Sequence, residues 1–243
     1  MLVIKLNAID STNTYLRRLH SAQTVADYTV VVTGKQLKGR GQMGAEWTAE
    51  AGKNLTFSVF KELESLDVAH RFYINIVVSL ALVRTLKSLN IPDLNVKWPN
   101  DILSDKFKIC GILIETVIKN NRLDSCVIGI GLNVNQTHFE NLPRASSLKM
   151  LTGRMYQLDL LLNKIVETLQ IYFDRLHNGE HKILKAEYEA CLYRSNMPSA
   201  FKDADGNMFM GCVKGVTEPG KLKVLLEDDT IQTFDLKEVT LMY

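Results

Sequence analysis

Four short segments of this 243-residue chain hold residue types that can bind or activate an anion. The first is Gly39-Arg40-Gly41-Gln42-Met43-Gly44, flanked by Lys35, Gln36, Lys38 and Trp47. Three glycines in six residues let backbone N–H groups approach a ligand closely. Lys35, Lys38 and Arg40 add positive charge, a combination that suits phosphate or carboxylate. No G-x-x-x-x-G-K-[ST] is present, so this is not a P-loop, and Ala45–Gly52 continues as loop rather than opening a dinucleotide-binding helix. A solvated loop with incidental charge accounts for the composition equally well. The second segment is Lys97-Trp98-Pro99-Asn100-Asp101. Proline ends the strand and fixes φ, so an ammonium, an amide and a carboxylate share a rigid turn that suits a nucleotide and its Mg²⁺. The plain alternative is a hairpin turn with a core tryptophan. The third is Lys108-Ile109-Cys110-Gly111-Ile112-Leu113-Ile114-Glu115, where a glycine inside a strand marks either close approach of a ligand or a bulge beside an edge lysine. In the fourth, Gly129-Ile130-Gly131-Leu132-Asn133-Val134-Asn135, two asparagines follow a strand end and serve equally as purine readers or turn caps.

These segments need a scaffold, and the hydrophobic pattern supplies one. Val3–Leu6 reads as a short strand, and Asp10-Ser11-Thr12-Asn13 offers capping side chains before the helical spacing of Tyr15, Leu16 and Leu19. Strands are expected at Tyr28–Thr33, Leu55–Phe60, Asn95–Trp98, Lys108–Ile118 and Ser125–Leu132, the last two as a hairpin around Asn120-Asn121. A glycine-rich loop covers Gly34–Lys53. Helices are expected at Val68–Leu89, Leu158–Leu176 and Glu180–Leu192, and Asn133–Ser146 is irregular. After Arg194 the pattern changes to short alternating runs, Phe209–Val216, Lys221–Leu226 and Thr230–Asp235. The fold class is therefore α+β. Residues 1–194 form a mixed, mostly antiparallel sheet with helices on one face, and 195–243 form a small five-stranded β-barrel of SH3 type.

Composition excludes several classes. Hydrophobic residues at 46% and charged residues at 23% rule out global disorder, and a net charge of +2 argues against a dedicated nucleic-acid or membrane-surface binder. The most apolar stretch, Tyr73–Val83, is too short to span a bilayer. Cys110, Cys126, Cys191 and Cys212 form no C-x-x-C, which argues against a zinc ribbon or redox motif. Met1–Leu6 has no secretory-signal pattern, so a cytoplasmic location with reduced thiols is expected.

Taken in order, the segments resemble the biotin protein ligase family (biotin–[biotin carboxyl carrier protein] ligase). The resemblance runs from Asp10-Ser11-Thr12-Asn13 through Gln36, the G-R-G loop with Trp47, Asn54, K-W-P-N-D, K-x-x-G-I-L and G-I-G-x-N, and closes with the small β domain. K-W-P-N-D followed closely by K-x-x-G-I-L is its most specific part. It implies a class II synthetase-like catalytic fold in a short form without an N-terminal DNA-binding domain. It implies that biotin is activated by ATP to biotinyl-5′-AMP, with Mg²⁺ as the metal. Biotin then passes to a lysine of a biotin carboxyl carrier domain.

The implied roles follow position by position. Ser11, Thr12, Asn13 and Gln36 match the biotin ureido pocket, continued by Gly39, Arg40, Gly41 and Gln42, and Gly111 lies where backbone passes close to biotin. Lys108 and Arg40 match positions contacting the biotin carboxylate and the phosphates, with Lys97 and Asp101 beside them as further catalytic residues. Trp47, Asn54, Lys97, Asn100 and Asn133 match nucleotide-contacting positions, and Asp101 is the candidate Mg²⁺ ligand. Many family members carry a second arginine, as G-R-G-R, where this chain has Gln42, so weaker retention of the adenylate is expected.

Two rivals stand against this reading. A lipoate or octanoate ligase or transferase of the related fold would use similar carrier chemistry, but an R-R-x-x-G-G-G-type motif is not found. A non-enzymatic module binding nucleic acid or protein would use the basic loop, and the near-neutral charge argues against nucleic acid. The expected protein is a monomer or homodimer with no membrane association. Because the chain opens directly on the catalytic domain's first strand, no specific DNA binding is expected; a sequence-specific gel shift at physiological salt would contradict this.

Overall fold

The computed structural model describes residues 1–242, without the side chains of Glu64 and Ser65; Tyr243, the last residue of the expected small domain, lies outside the described residues. Seven strands form the main sheet: β1 (Val3–Ile9), β2 (Val30–Gln36), β3 (Leu55–Asp67), β4 (Leu94–Lys97), β5 (Asp101–Ser104), β6 (Phe107–Lys119) and β7 (Arg122–Leu132). Their order is β1-β2-β3-β7-β6-β5-β4. Only β1 and β2 run parallel, joined through helix α1 (Thr12–Ala22); every other neighbouring pair in this sheet is antiparallel. Asn120 and Asn121 turn the β6–β7 hairpin with both residues at positive φ, a conformation asparagine tolerates well.

The two faces of the sheet bury different things. Phe57, Val59, Ile112, Ile128 and Ile130 face α2 (Arg71–Lys87), α4 (Leu158–His177) and α5 (His181–Ala190) in the main core. Phe60, Val127 and Val31 face the other way, with Leu16 of α1, in a smaller core. The helices therefore occupy both faces, not one: α1 is short and covers only part of its side, and the uncovered part of that face is where the glycines of β6 and β7 lie. Helix α2 also departs from the expected single stripe. It is buried on almost every side because it runs between the sheet and α4 and α5.

Two further elements appear here, and one expected strand is longer. β5 follows the Pro99 turn directly, α3 (Leu148–Thr152) interrupts the irregular segment, and β3 runs well past Phe60. The C-terminal unit holds five antiparallel strands, β8 (Pro198–Asp203), β9 (Met208–Val216), β10 (Leu222–Leu226), β11 (Ile231–Phe234) and β12 (Val239–Leu241), in the order β11-β10-β9-β8-β12. The sequence marked only the middle three. The described ladders form an open order, so they establish a small β-sheet unit and not a closed barrel. Phe201, Val213, Val216 and Val224 of this unit belong to the same buried cluster as α2 and the main sheet. Gly220 makes the join close: a Cβ there would meet the Phe72 ring at 2.2 Å, and its carbonyl accepts the Trp98 indole N–H at 2.9 Å.

Candidate active site

The candidate site lies on the α1 side of the sheet, where β6 and β7 present glycine instead of side chains. Gly111 and Gly131 are directly paired across the two strands. The Trp47 indole rests on them. A Cβ added at Gly131 would fall 2.2 Å from the indole, and one at Gly111 would fall 3.1 Å from it. The ring packs closely against backbone, and among the described residues its buried N–H has no hydrogen-bond partner.

The loop that delivers Trp47 is more ordered than its composition implied. Gly41 N–H donates to Ala45 O at 2.6 Å, Trp47 N–H donates to Gly39 O at 3.0 Å, and Arg40 and Glu46 form an isolated antiparallel bridge. The tip, Gln42–Gly44, is a single 3-10 turn with Met43 at positive φ. The loop is thus a small closed hairpin over the sheet, carrying both a cation, Arg40, and an acid, Glu46.

A bulge aims the second cation. Between β5 and β6 the register slips, Ile102 pairing with Cys110 and Leu103 with Lys108. The extra residue turns Lys108 onto the Gly111 face, so its Nζ lies 3.4 Å from where a Gly111 Cβ would sit and 5.8 Å from the Trp47 ring. Lys108 Nζ is 2.7 Å from Asp101 Oδ1, a close ion pair. Asp101 therefore already faces an ammonium. Among the described residues no group of three or more His, Cys, Asp or Glu is placed to hold a metal. The donor set suits a Mg²⁺ that arrives with phosphate oxygens and takes one carboxylate here, not an ion caged by protein.

The wall opposite Lys108 is a chain of neutral hydrogen bonds. Ser11 caps α1, accepting from Thr14 N–H. Gln36 Oε1 accepts from Thr12 N–H at 2.9 Å and lies 3.1 Å from its hydroxyl. Ser58 Oγ, fully buried, lies 2.7 Å from Thr12 Oγ1 and donates to Asn13 Oδ1 at 2.6 Å. Such a wall offers amide and hydroxyl groups to a neutral polar head rather than to a charge.

Ser11, Thr12, Asn13, Gln36, Arg40, Gly41, Gln42, Trp47, Asn100, Asp101, Lys108 and Gly111 line one cleft of about 220 Å³. Gly39 closes the loop behind Trp47. Lys97 lines an adjacent cleft against the small sheet, together with Met43 and Leu236. Asn54 and Asn133 are placed differently. Asn54 accepts from Val134 N–H at 2.8 Å and donates to Gln136, tying the start of β3 to the segment after β7. Asn133 donates to Ser146 O at 3.0 Å. Both are buried, and neither lines the cleft. Asn100 straddles the two roles: it lines the cleft, while its Nδ2 donates to Ile112 O at 2.8 Å and holds the proline turn on β6. Gly129, Gly131, Leu113 and Glu46 also line the cleft. The glycines stood in the G-I-G-x-N motif without a role. Ser58 carries no sequence signal, since only the register of β3 puts it under Thr12.

The slot predicts a specific defect. Gly131→Ala forces the indole off the sheet by more than about 1 Å, because the added Cβ has backbone beneath it and cannot yield. With Trp98 replaced by Phe, Trp47 is the remaining tryptophan. Its emission is expected to shift to the red and its quenching by acrylamide to rise. Unchanged emission and quenching would contradict the slot.

Comparison with known proteins supplies the family. The family model described as "Biotin/lipoate A/B protein ligase family" matches residues 6–133. Among curated relatives, the "Bifunctional ligase/repressor BirA" of Escherichia coli is 33% identical over 138 residues, covering 57% of this chain and 42% of that protein. The "Biotin--[acetyl-CoA-carboxylase] ligase" of Mycobacterium tuberculosis is 26% identical over 215 residues, covering 87% of this chain and 79% of that protein. The match spans less than half the length of the bifunctional relatives. Among solved structures, a biotin protein ligase from Aquifex aeolicus in complex with biotin and ATP superposes with a TM-score of 0.82 at 24% identity, covering 99% of this chain and 98% of that one. That likeness establishes the fold. With more than half of its length matched by the family model, and its fold shared from end to end with a solved ligase, the chain belongs to the biotin/lipoate A/B protein ligase family.

Proposed function

We propose that this protein is a biotin protein ligase, which activates biotin with ATP and transfers it to a lysine of a biotin carboxyl carrier domain. The observation that carries the proposal is the division of one cleft into a neutral hydrogen-bonding wall, Thr12, Asn13 and Gln36, and a cationic end at Lys108, with bare backbone between them and the loop cation Arg40 at the rim beside the wall. A ureido head suits the wall, a compact fused-ring body suits the side-chain-free glycine surface, and a carboxylate suits the cations. Lipoate and octanoate have no ureido group to use the wall. Solved relatives support the same reading: one ligase, from Aquifex aeolicus, holds biotin and ATP, and another, from Leishmania major, holds biotinyl-5-AMP.

In the first step the biotin carboxylate oxygen attacks the α-phosphorus of ATP, the P–O bond to the β-phosphate breaks, and pyrophosphate leaves. Lys108 and Arg40 offset the charge where an anion meets a polyanion. Trp47 moves off the glycines to admit the acid, then covers it against water. Asn100 and Pro99 hold the turn that carries Asp101 beside Lys108. Asp101 would hold the Mg²⁺ that comes with ATP, and the ion would there offset phosphate charge. In the second step a neutral carrier lysine attacks the acyl carbon. The acyl–phosphate bond breaks, AMP leaves, and the amine loses its proton. No residue forms a covalent intermediate, so catalysis rests on positioning and charge.

The same proposal covers the remaining assignments. Residues 1–194 carry the catalytic chemistry and 195–243 support it from beneath the Trp98 turn. The carrier domain is the protein partner, and the protein acts in the cytoplasm as a monomer or homodimer. No helix among the described residues is long and apolar enough to cross a membrane.

Pyrophosphate release tests the reading directly. It is expected with biotin and Mg·ATP and not with either alone. Release that needs lipoate or octanoate instead of biotin would move the protein to the sister activity. The loop generates a second expectation. Gln42 supplies no charge at the cleft rim, so Gln42→Arg is expected to slow adenylate release about threefold or more. Equal off-rates for the two proteins, measured by chase with unlabelled biotin, would remove the significance attached to Gln42.

A further inference from the structure

One carboxylate beside the cleft is shared by the wall and the loop. Gly111, Leu113 and Glu115 alternate along β6 on the α1 side of the sheet, and Glu115 is the first residue past the cleft lining. Its side chain is 21% exposed. Asn13 Nδ2 donates to Glu115 Oε2 at 2.8 Å. One helical turn further along α1, Arg17 Nη1 donates to Oε1 at 3.0 Å. From the loop, Arg40 Nη2 lies 3.4 and 3.5 Å from the two oxygens, and the same nitrogen donates to Thr14 Oγ1 on α1 at 3.1 Å. Glu115 thus receives one neutral donor and two guanidinium groups, from a helix and a loop. Through Asn13 the connection runs on to Ser58, Thr12 and Gln36 without a break.

We propose that Glu115 is a positioning residue that locks the glycine-loop arginine to the hydrogen-bonding wall, so that the head-group wall and the loop are set as one unit. Glu115 does not touch the reacting atoms. It fixes the amide of Asn13 with Nδ2 held and Oδ1 committed to Ser58, and it holds Arg40 against α1. A carboxylate is required because all the groups that face it are donors. Asn13, Arg17 and Arg40 together bring more N–H groups than the single acceptor oxygen of glutamine can satisfy. In catalysis the role rests on the ligase reading above; in the apo protein it does not.

Two measurements separate these levels. Trypsin needs the Arg40 side chain free to enter its specificity pocket, so the rate of cleavage after Arg40 reports the lock with no substrate present. In Glu115→Gln, cleavage after Arg40, mapped by mass spectrometry, is expected to rise roughly tenfold while cleavage at distant sites is unchanged. In pyrophosphate release the same variant is expected to raise the KM for biotin roughly tenfold with kcat changed less than about threefold. Arg17→Ala removes an exposed partner and leaves the other two, so it is expected to alter that KM less than about threefold. If Glu115→Gln digests rapidly everywhere, Glu115→Asp replaces it: the shortened carboxylate keeps the charge, and cleavage after Arg40 is still expected to exceed that of the parent. Cleavage after Arg40 that matches the parent in a folded variant would overturn the proposal. A parent protein that releases no pyrophosphate with biotin would overturn the ligase reading alone, and the trypsin comparison would still decide on Glu115.

Discussion

Everything at the site depends on two facing positions with no side chain. Gly111 and Gly131 pair across β6 and β7 and expose a patch of bare sheet on the face that α1 leaves uncovered. A flat ring can lie there in van der Waals contact with backbone, and the Trp47 indole does so. Any side chain at Gly131 would occupy that space. The other features serve this patch. The bulge at Ile102/Leu103 brings an ammonium to one end of it, the cap of α1 brings a neutral wall to the other, and the hairpin Gly39–Trp47 covers it.

Why the surroundings can hold so open a surface is a matter of what lies behind it. The opposite face of β6 and β7 is filled by Ile112, Ile128 and Ile130 against the buried helix α2. Asn75 of α2 donates to Pro99 O at 2.7 Å, and Trp98 in the same turn bonds to Gly220 of the small sheet. The turn carrying Asn100 and Asp101 is thereby tied to the main helix, to β6 and to the C-terminal unit at once. Rigidity on the core side lets the glycine side be bare without collapsing. The small sheet contributes to the site through this tie, since its own core residues are continuous with the main cluster.

Much of this was legible in the sequence. Strong periodicity gave α4, the β6–β7 hairpin and its Asn-Asn turn, and the capping residues before α1 placed that helix correctly. The glycine-rich loop and the K-W-P-N-D turn stood out because proline and glycine restrict backbone in known ways. What stayed hidden was long-range. Ser58 is an ordinary strand residue until the β3 register sets it under Thr12 and Asn13. Glu115 looks like a solvent-facing strand charge until α1 and the loop converge on it. Lys108 alternates onto the wrong face in a regular strand, and only the bulge, which pairing alone reveals, brings it over Gly111. Asn54 and Asn133 show the same limit of local reading. The amide of Asn54 joins the start of β3 to the segment after β7, that of Asn133 donates to Ser146 O, and neither lines the cleft. The strands β5, β8 and β12 carried no pattern of their own in the sequence, and the structure shows each through its pairing, β5 with β6, β8 with β9 and β12 with β8.

The central claim is that the glycine surface, with its neutral wall and two cations, selects one acid for activation. Its most direct test is a competition in which the protein receives Mg·ATP with equal concentrations of biotin, lipoate and octanoate, and the acyl adenylates are identified by mass spectrometry. The account predicts biotinyl-5′-AMP as the product. Predominant lipoyl- or octanoyl-adenylate would contradict it, and would mean that the wall formed by Thr12, Asn13 and Gln36 serves the fold and not a ureido group.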